Sequence, residues 1–284
     1  AEAEPLLREA LATADREAGP DSQYACELRN VLGTALWSQQ KYDAAIAVFE
    51  DLAERIARNA GPDHPMALAA ELNLAANLLA AGRVKESVRR FDDTIRRSNA
   101  AGPAAAANAA GFARSHAGAL FADGQDERGA AVLREVADRA RRREAPASLG
   151  LAQELIACAV VHLDARRWAD AESLLREVLA IREAQAPDAW STFNTRALIG
   201  ETLLGQQRFA EAEPLVTTEF LAVLARESQI PPQGRPWVAK GRDRILRFYA
   251  AWAAAEPGKG HEAQLEEWKA KLAAPQTPAP AERR

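Results

Sequence analysis

The feature that most constrains this sequence is an internal period of 42 residues. Tyr42, Val84, Asp126, Trp168 and Phe209 are spaced by 42, 42, 42 and 41 residues. Three places after these anchors stand the small residues Ala45, Ser87, Gly129, Ala171 and Ala212, and seven places after them the large apolar residues Phe49, Phe91, Leu133, Leu175 and Val216. Before the anchors, at a constant offset, come Gly33, Ala75, Ala117, Ala159 and Gly200, each followed three residues later by Leu36, Leu78, Leu120, His162 or Leu203. Pro20, Pro62, Pro103, Pro146 and Pro187 punctuate the same frame. A chain that repeats itself on this scale folds as stacked supersecondary units, none of which buries its apolar face alone.

Each unit reads as two helices. Apolar residues recur at three- and four-residue spacing on either side of short turns such as Gln39-Gln40-Lys41 and Ala81-Gly82-Arg83. Ala, Leu, Arg and Glu dominate, all strong helix formers, and only 6% of residues are aromatic. The small residues let paired helices approach, and the large residue seven after each anchor is expected to pack against the next unit. Gly82, Gly124 and Gly205 read as turn glycines, and His64 as a loop residue between units.

The ends depart from the pattern. Ala1-Glu2-Ala3-Glu4-Pro5-Leu6 recurs as Ala210-Glu211-Ala212-Glu213-Pro214-Leu215, so residues 1–18 are expected to be the second helix of a truncated repeat and the sequence a fragment of a larger protein. Five helix pairs are expected over 19–227. After the break at Ile230-Pro231-Pro232-Gln233-Gly234, an atypical capping helix pair is expected over 235–273, followed by a disordered tail, 274–284, rich in proline.

These anchors resemble the tetratricopeptide repeat. The first unit shows it in Leu32-Gly33, Leu36, Tyr42, Ala45 and Phe49, another in Ile199-Gly200, Leu203, Phe209 and Ala212. The 42-residue length, with Gly61-Pro62-Asp63-His64-Pro65 between units, is similar to the longer variant of kinesin light chains and many bacterial regulatory proteins. Unit 3 departs most, with Asp126 for the aromatic and Gly129 for alanine. The last segments, with Phe248-Tyr249 and Glu266-Glu267-Trp268-Lys269, are similar to the ends of repeat regions attached to bacterial serine/threonine kinases.

The resemblance implies an all-α fold, a right-handed α-solenoid of tandem helix-turn-helix repeats with a C-terminal capping pair. It also implies a concave face lined by the first helix of each unit. Projected onto this chain, that face comprises Asn30, Thr34 and Trp37; Leu72, Ala76 and Leu79; Arg114, Gly118 and Phe121; Ile156, Val160 and Leu163; and Ala197, Glu201 and Leu204. Its apolar character points to a protein or peptide partner offering an apolar or amphipathic segment. The alternative is that a tight superhelix buries these side chains against one another.

Other chemistry finds little footing. With 36 Lys+Arg against 40 Asp+Glu the chain has a net charge of −4, unsuited to holding nucleic acid. There is no apolar run of membrane-spanning length, and the charged start is unlike a signal peptide. Two cysteines, Cys26 and Cys158, suit a reducing cytoplasm. Cys158 and His162 share a helix face, with His116 one unit earlier, but all three occupy packing positions and no fourth ligand is visible, so no metal and no cofactor is expected. The arginines Arg55, Arg58, Arg96, Arg97, Arg139, Arg141, Arg142, Arg143 and Arg182 read as a solvated face matched to helix C-termini, and Asp92-Asp93 and Glu266-Glu267 as surface charge. No phosphate loop or nucleophile elbow occurs, so the chain is not expected to be an enzyme. Two readings are left: an interaction module within a larger bacterial regulator, or a peptide sensor whose superhelix changes pitch to control an attached output domain such as a kinase.

Overall fold

The computed structural model describes residues 3–224, 230 and 235–273, with side chains from Lys240 onward in the last segment. Among the described residues the chain is all helix. α1 (Ala3–Glu17) is followed by α2 (Gln23–Ser38) with α3 (Tyr42–Ala60), and α4 (Pro65–Ala80) with α5 (Val84–Ala101). α6 (Pro103–Gly111) and α7 (Ala113–Ala122) precede α8 (Asp126–Arg143). Then come α9 (Leu149–Asp164) with α10 (Trp168–Gln185), α11 (Trp190–Gly205) with α12 (Phe209–Leu224), and finally α13 (Arg235–Ala255) and α14 (His261–Ala273). The chain divides within α8 into two compact units, Ala1–Val136 and Ala137–Arg284. The expected tail, 274–284, and the break at 231–234 lie outside the described residues.

In the N-terminal unit the helix pairs close over small residues. A Cβ on Gly33 would stand 2.6 Å from the Phe49 ring, and the methyl-sized space at Ala45 and Ala75 is completely buried. Phe49 therefore fills the slot of its own pair, where an inter-unit role was expected; Phe91 does reach the next pair, its ring centroid 5.5 Å from that of His116. Burying a phenyl group this fully contributes about 2–3 kcal/mol. Ser22 caps α2 through its hydroxyl, and His64 caps α4 by accepting from the Met66 amide at 3.3 Å.

The third pair differs from expectation, for its first helix is broken. Pro103–Gly111 is almost all alanine and carries no large side chain to anchor it, Gly111 is a poor helix former, and Phe112 turns into the cluster around Leu72, Phe91 and Leu120. Packing of one aromatic thus outweighs continuation of a helix with little to bury.

The C-terminal unit has its own core, running from Ala137 and Leu155 through Leu175, Leu203 and Val216 to Ile245 and Phe248. α13 lies against α11 and α12. Phe248 meets Phe209, Tyr249 and Trp252 at ring distances of 6.4, 4.9 and 5.4 Å, and the Tyr249 hydroxyl donates to Glu213 at 2.8 Å.

The arginines are more than a solvated face. Arg55 joins α3 to Asp21 and Arg97 joins α5 to Asp63, at 3.0 and 2.8 Å, the same clamp one repeat apart. Arg141 reaches Glu177 at 2.7 Å, and buried Arg182 donates to Ser191 O and Thr195 Oγ1. Asp92, expected to be surface charge, pairs with both His116 and Arg128.

Candidate partner-binding faces

The first helix of each pair carries the residues expected to face a partner, and the two units treat them differently. In the N-terminal unit α2 leaves Asn30, Thr34 and Trp37 exposed, with half of the Trp37 surface open (50%). The Asn30 side chain is matched across to α4 by Asn73, whose Nδ2 donates to Asn30 Oδ1 at 3.4 Å. Asn73, absent from the expected set, therefore stands where Leu72 was placed, while Leu72 is fully buried against Val88 and Phe91. The reason is neighbours. α2 packs mainly on α1 and α3, whereas α4 packs on α3 and α5 and also supports α6 and α7, so a wider arc of its surface is drawn into the core.

Ala76 and Leu79 are half-buried, as are Arg114 and Gly118 on α7. A Cβ on Gly118 would come no closer than 3.8 Å to Leu79, so the surface here is low. Phe121 is buried over Gly129, a core role in place of the groove role expected. What remains open on this face is Trp37 on α2, the asparagine pair that joins α2 to α4, and the half-buried Ala76, Leu79, Arg114 and Gly118.

In the C-terminal unit Ile156 and Ala197 are likewise core residues, and Leu204 is half-buried against the same core. Val160 and Leu163 on α9 and Glu201 on α11 face a cavity of about 560 Å³, whose other walls are Asp164, Leu198 and the α13 residues Lys240, Asp243, Arg244, Leu246 and Arg247. Arg244 and Arg247 both donate to Glu201, at 2.9 and 3.1 Å. Burial alone would raise the Glu201 carboxyl, but these two cations overrule it and hold it below its ordinary range. The apolar groove expected here is instead a charged cavity under α13. Nothing in the first-helix pattern could have signalled this, because the covering helix lies outside the repeat.

Residues 25–100 and 159–184 match models of the tetratricopeptide repeat. The fold is of the tetratricopeptide-repeat kind. Solved structures agree. The chain is similar to a structure titled as Podosopora anserina putative kinesin light chain nearly identical TPR-like repeats, at a TM-score of 0.51 and 16% identity, over 75% of this chain and 99% of that one. It is also similar to BtubC (BKLC) from P. vanneervenii, at a TM-score of 0.59 and 16% identity, over 79% and 94% of the two chains. At such identity the likeness is one of fold. No curated protein matches the chain.

The tetratricopeptide frame also places the histidines and cysteines. His116 is buried with its Nε2 2.9 Å from Asp92 Oδ1; burial pushes its pKa down, with Asp92 pulling the other way. Cys158 and His162 are buried in α9. Among the described residues no three histidine, cysteine or acidic side chains cluster as metal ligands, and no helix is long and apolar enough to cross a membrane.

Proposed function

We propose that this chain is a protein-interaction module that seats a segment of a partner protein on the first-helix face of its N-terminal unit. One observation carries the reading: Trp37, a large aromatic, stands half-exposed on α2, the helix whose Asn30 pairs with Asn73, on the face where tetratricopeptide repeats generally receive partners. Exposed tryptophan supplies much contact area at low entropic cost, and amide side chains match the polar groups of a peptide backbone. The small, uncharged Thr34, Ala76 and Gly118 of this face suit an amphipathic or apolar segment.

A second reading, a peptide-sensing domain controlling an attached output domain such as a kinase, is favoured by the charged cavity under α13.

The test is capture of partners from the source organism by the full chain and by Trp37→Ala, both confirmed helical by circular dichroism. Partners bound through this face are held at least about tenfold more weakly by the variant, as befits loss of a central aromatic. Equal capture by both proteins would remove the face from consideration.

A further inference from the structure

We infer that the cavity framed by α9, α11 and α13 is a site for a cationic side chain of a partner protein, a lysine or arginine flanked by apolar residues. The site is separate from the Trp37 face and supplies a ligand chemistry for the second reading above.

Three features of the walls converge on this. Val160, Leu163, Leu198 and Leu246 give the cavity apolar sides, and its volume of about 560 Å³ lies within the range of ligand sites. The two arginines that could attract an anion, Arg244 and Arg247, are both engaged by Glu201. Asp164 and Asp243 also line the cavity, and neither carries a hydrogen bond or an ion pair within salt-bridge distance among the described residues. Asp164 is moreover the last residue of α9, where the negative end of the helix dipole adds to its own charge.

Asp164 and Asp243 both keep exposed surface, so each can meet an incoming group. The partial desolvation of Asp164 still pushes its carboxyl above the ordinary aspartate range, with Lys240, exposed on α13, offsetting part of this and Glu201 adding to it. An incoming ammonium or guanidinium group relieves that penalty, and apolar neighbours on either side of it cover the leucines and Val160. An acidic segment would meet two bare carboxylates; a wholly apolar one would strip them of water with nothing in exchange.

The probes are three capped pentapeptides, Gly-Leu-X-Leu-Gly, with X as lysine, methionine or glutamate, titrated calorimetrically into the full chain at low ionic strength. The lysine peptide binds; the methionine peptide binds about tenfold more weakly, and the glutamate peptide more weakly still. Asp164→Asn lowers affinity for the lysine peptide about tenfold, and Trp37→Ala leaves it unchanged. A raised folded-state pKa means the ionised carboxylate opposes folding, a penalty absent below the unfolded pKa and felt as pH rises through the folded one. Because Asp164 is exposed that penalty is small, so Asp164→Asn keeps Tm at pH 7 at or slightly above the wild-type value while it weakens binding, an outcome that separates it from a variant that misfolds. Binding of the wild type also fades as acid protonates Asp164, whose facing charges are Glu201, Lys240, Asp243, Arg244 and Arg247. The inference is overturned if the glutamate or methionine peptide binds as well as the lysine peptide, if Asp164→Asn binds unchanged, if Trp37→Ala abolishes binding, or if no peptide binds at millimolar concentration. Binding that leaves hydrogen exchange of α13 unaltered upholds the site and removes the sensor reading.

Discussion

Within each helix pair one residue turns the chain back, and it does so in a left-handed conformation that sequence marks only in part. Gly82 and Gly124 sit there at φ of 77° and 76°, as their identity foretells, but the equivalent positions in the other pairs are Gln40, Arg166 and Gln207, at 61°, 57° and 60°. Each turn is closed by the same bond, from Lys41 N to Leu36 O at 3.0 Å, Arg83 N to Leu78 O at 2.8 Å, and Arg167 N to His162 O at 2.8 Å. Gly205, read as a turn glycine, proves to end α11, where a Cβ would stand 2.3 Å from the Trp168 ring. Exposed Arg166 thus bears backbone strain that glycine would relieve. Arg166→Gly is expected to stabilise the protein by about 0.5–1 kcal/mol in urea unfolding, against the usual cost of introducing glycine. A loss of stability would show that the strain is absent.

Among the elements α13 is the one that the repeat pattern left least determined. An atypical terminal helix was legible in the amphipathic run after the break; that it would bring two arginines onto Glu201 was not, because the equivalent residues Thr34, Ala76, Gly118 and Val160 carry no charge. Arg244 is almost wholly buried, so removing its partner strands a cation. Glu201→Gln is expected to cost roughly 2–3 kcal/mol, somewhat below the range for fully buried pairs because Glu201 keeps some exposure. The cost appears as a lower Tm at pH 7. The carboxyl is held below its ordinary range, so this contribution is present above the unfolded pKa and is lost as pH falls through the folded one. A variant as stable as the wild type at pH 7 would show that the pair contributes nothing net. The broken α6–α7 helix teaches the converse lesson: an alanine run states helix, but only the place available for Phe112 decides where the helix stops.

For the molecule as a whole, stability should follow the repeats, each resting on its neighbours. Leu74, fully buried between α3 and α4, is central to the N-terminal core. Leu74→Ala is expected to cost about 2–5 kcal/mol, with amide exchange quickening in α3 to α5 and unchanged in α9 to α12. Uniform acceleration through both units would mean a single cooperative fold. By itself the sequence determined the all-helical class, the period, the pairing of helices and the close-packed sites such as Gly33 against Phe49, because each of these depends on residues near one another in one repeating frame. Tertiary structure alone decided which face residues stay open. Leu72, Phe121, Ile156 and Ala197 share the frame of Asn30, Trp37, Val160 and Leu163, yet the first set is core and the second is accessible or lines a cavity. A side chain's exposure depends on how many helices pack around its own, and that number differs between a helix flanked by two neighbours, one flanked by four, and one covered by α13.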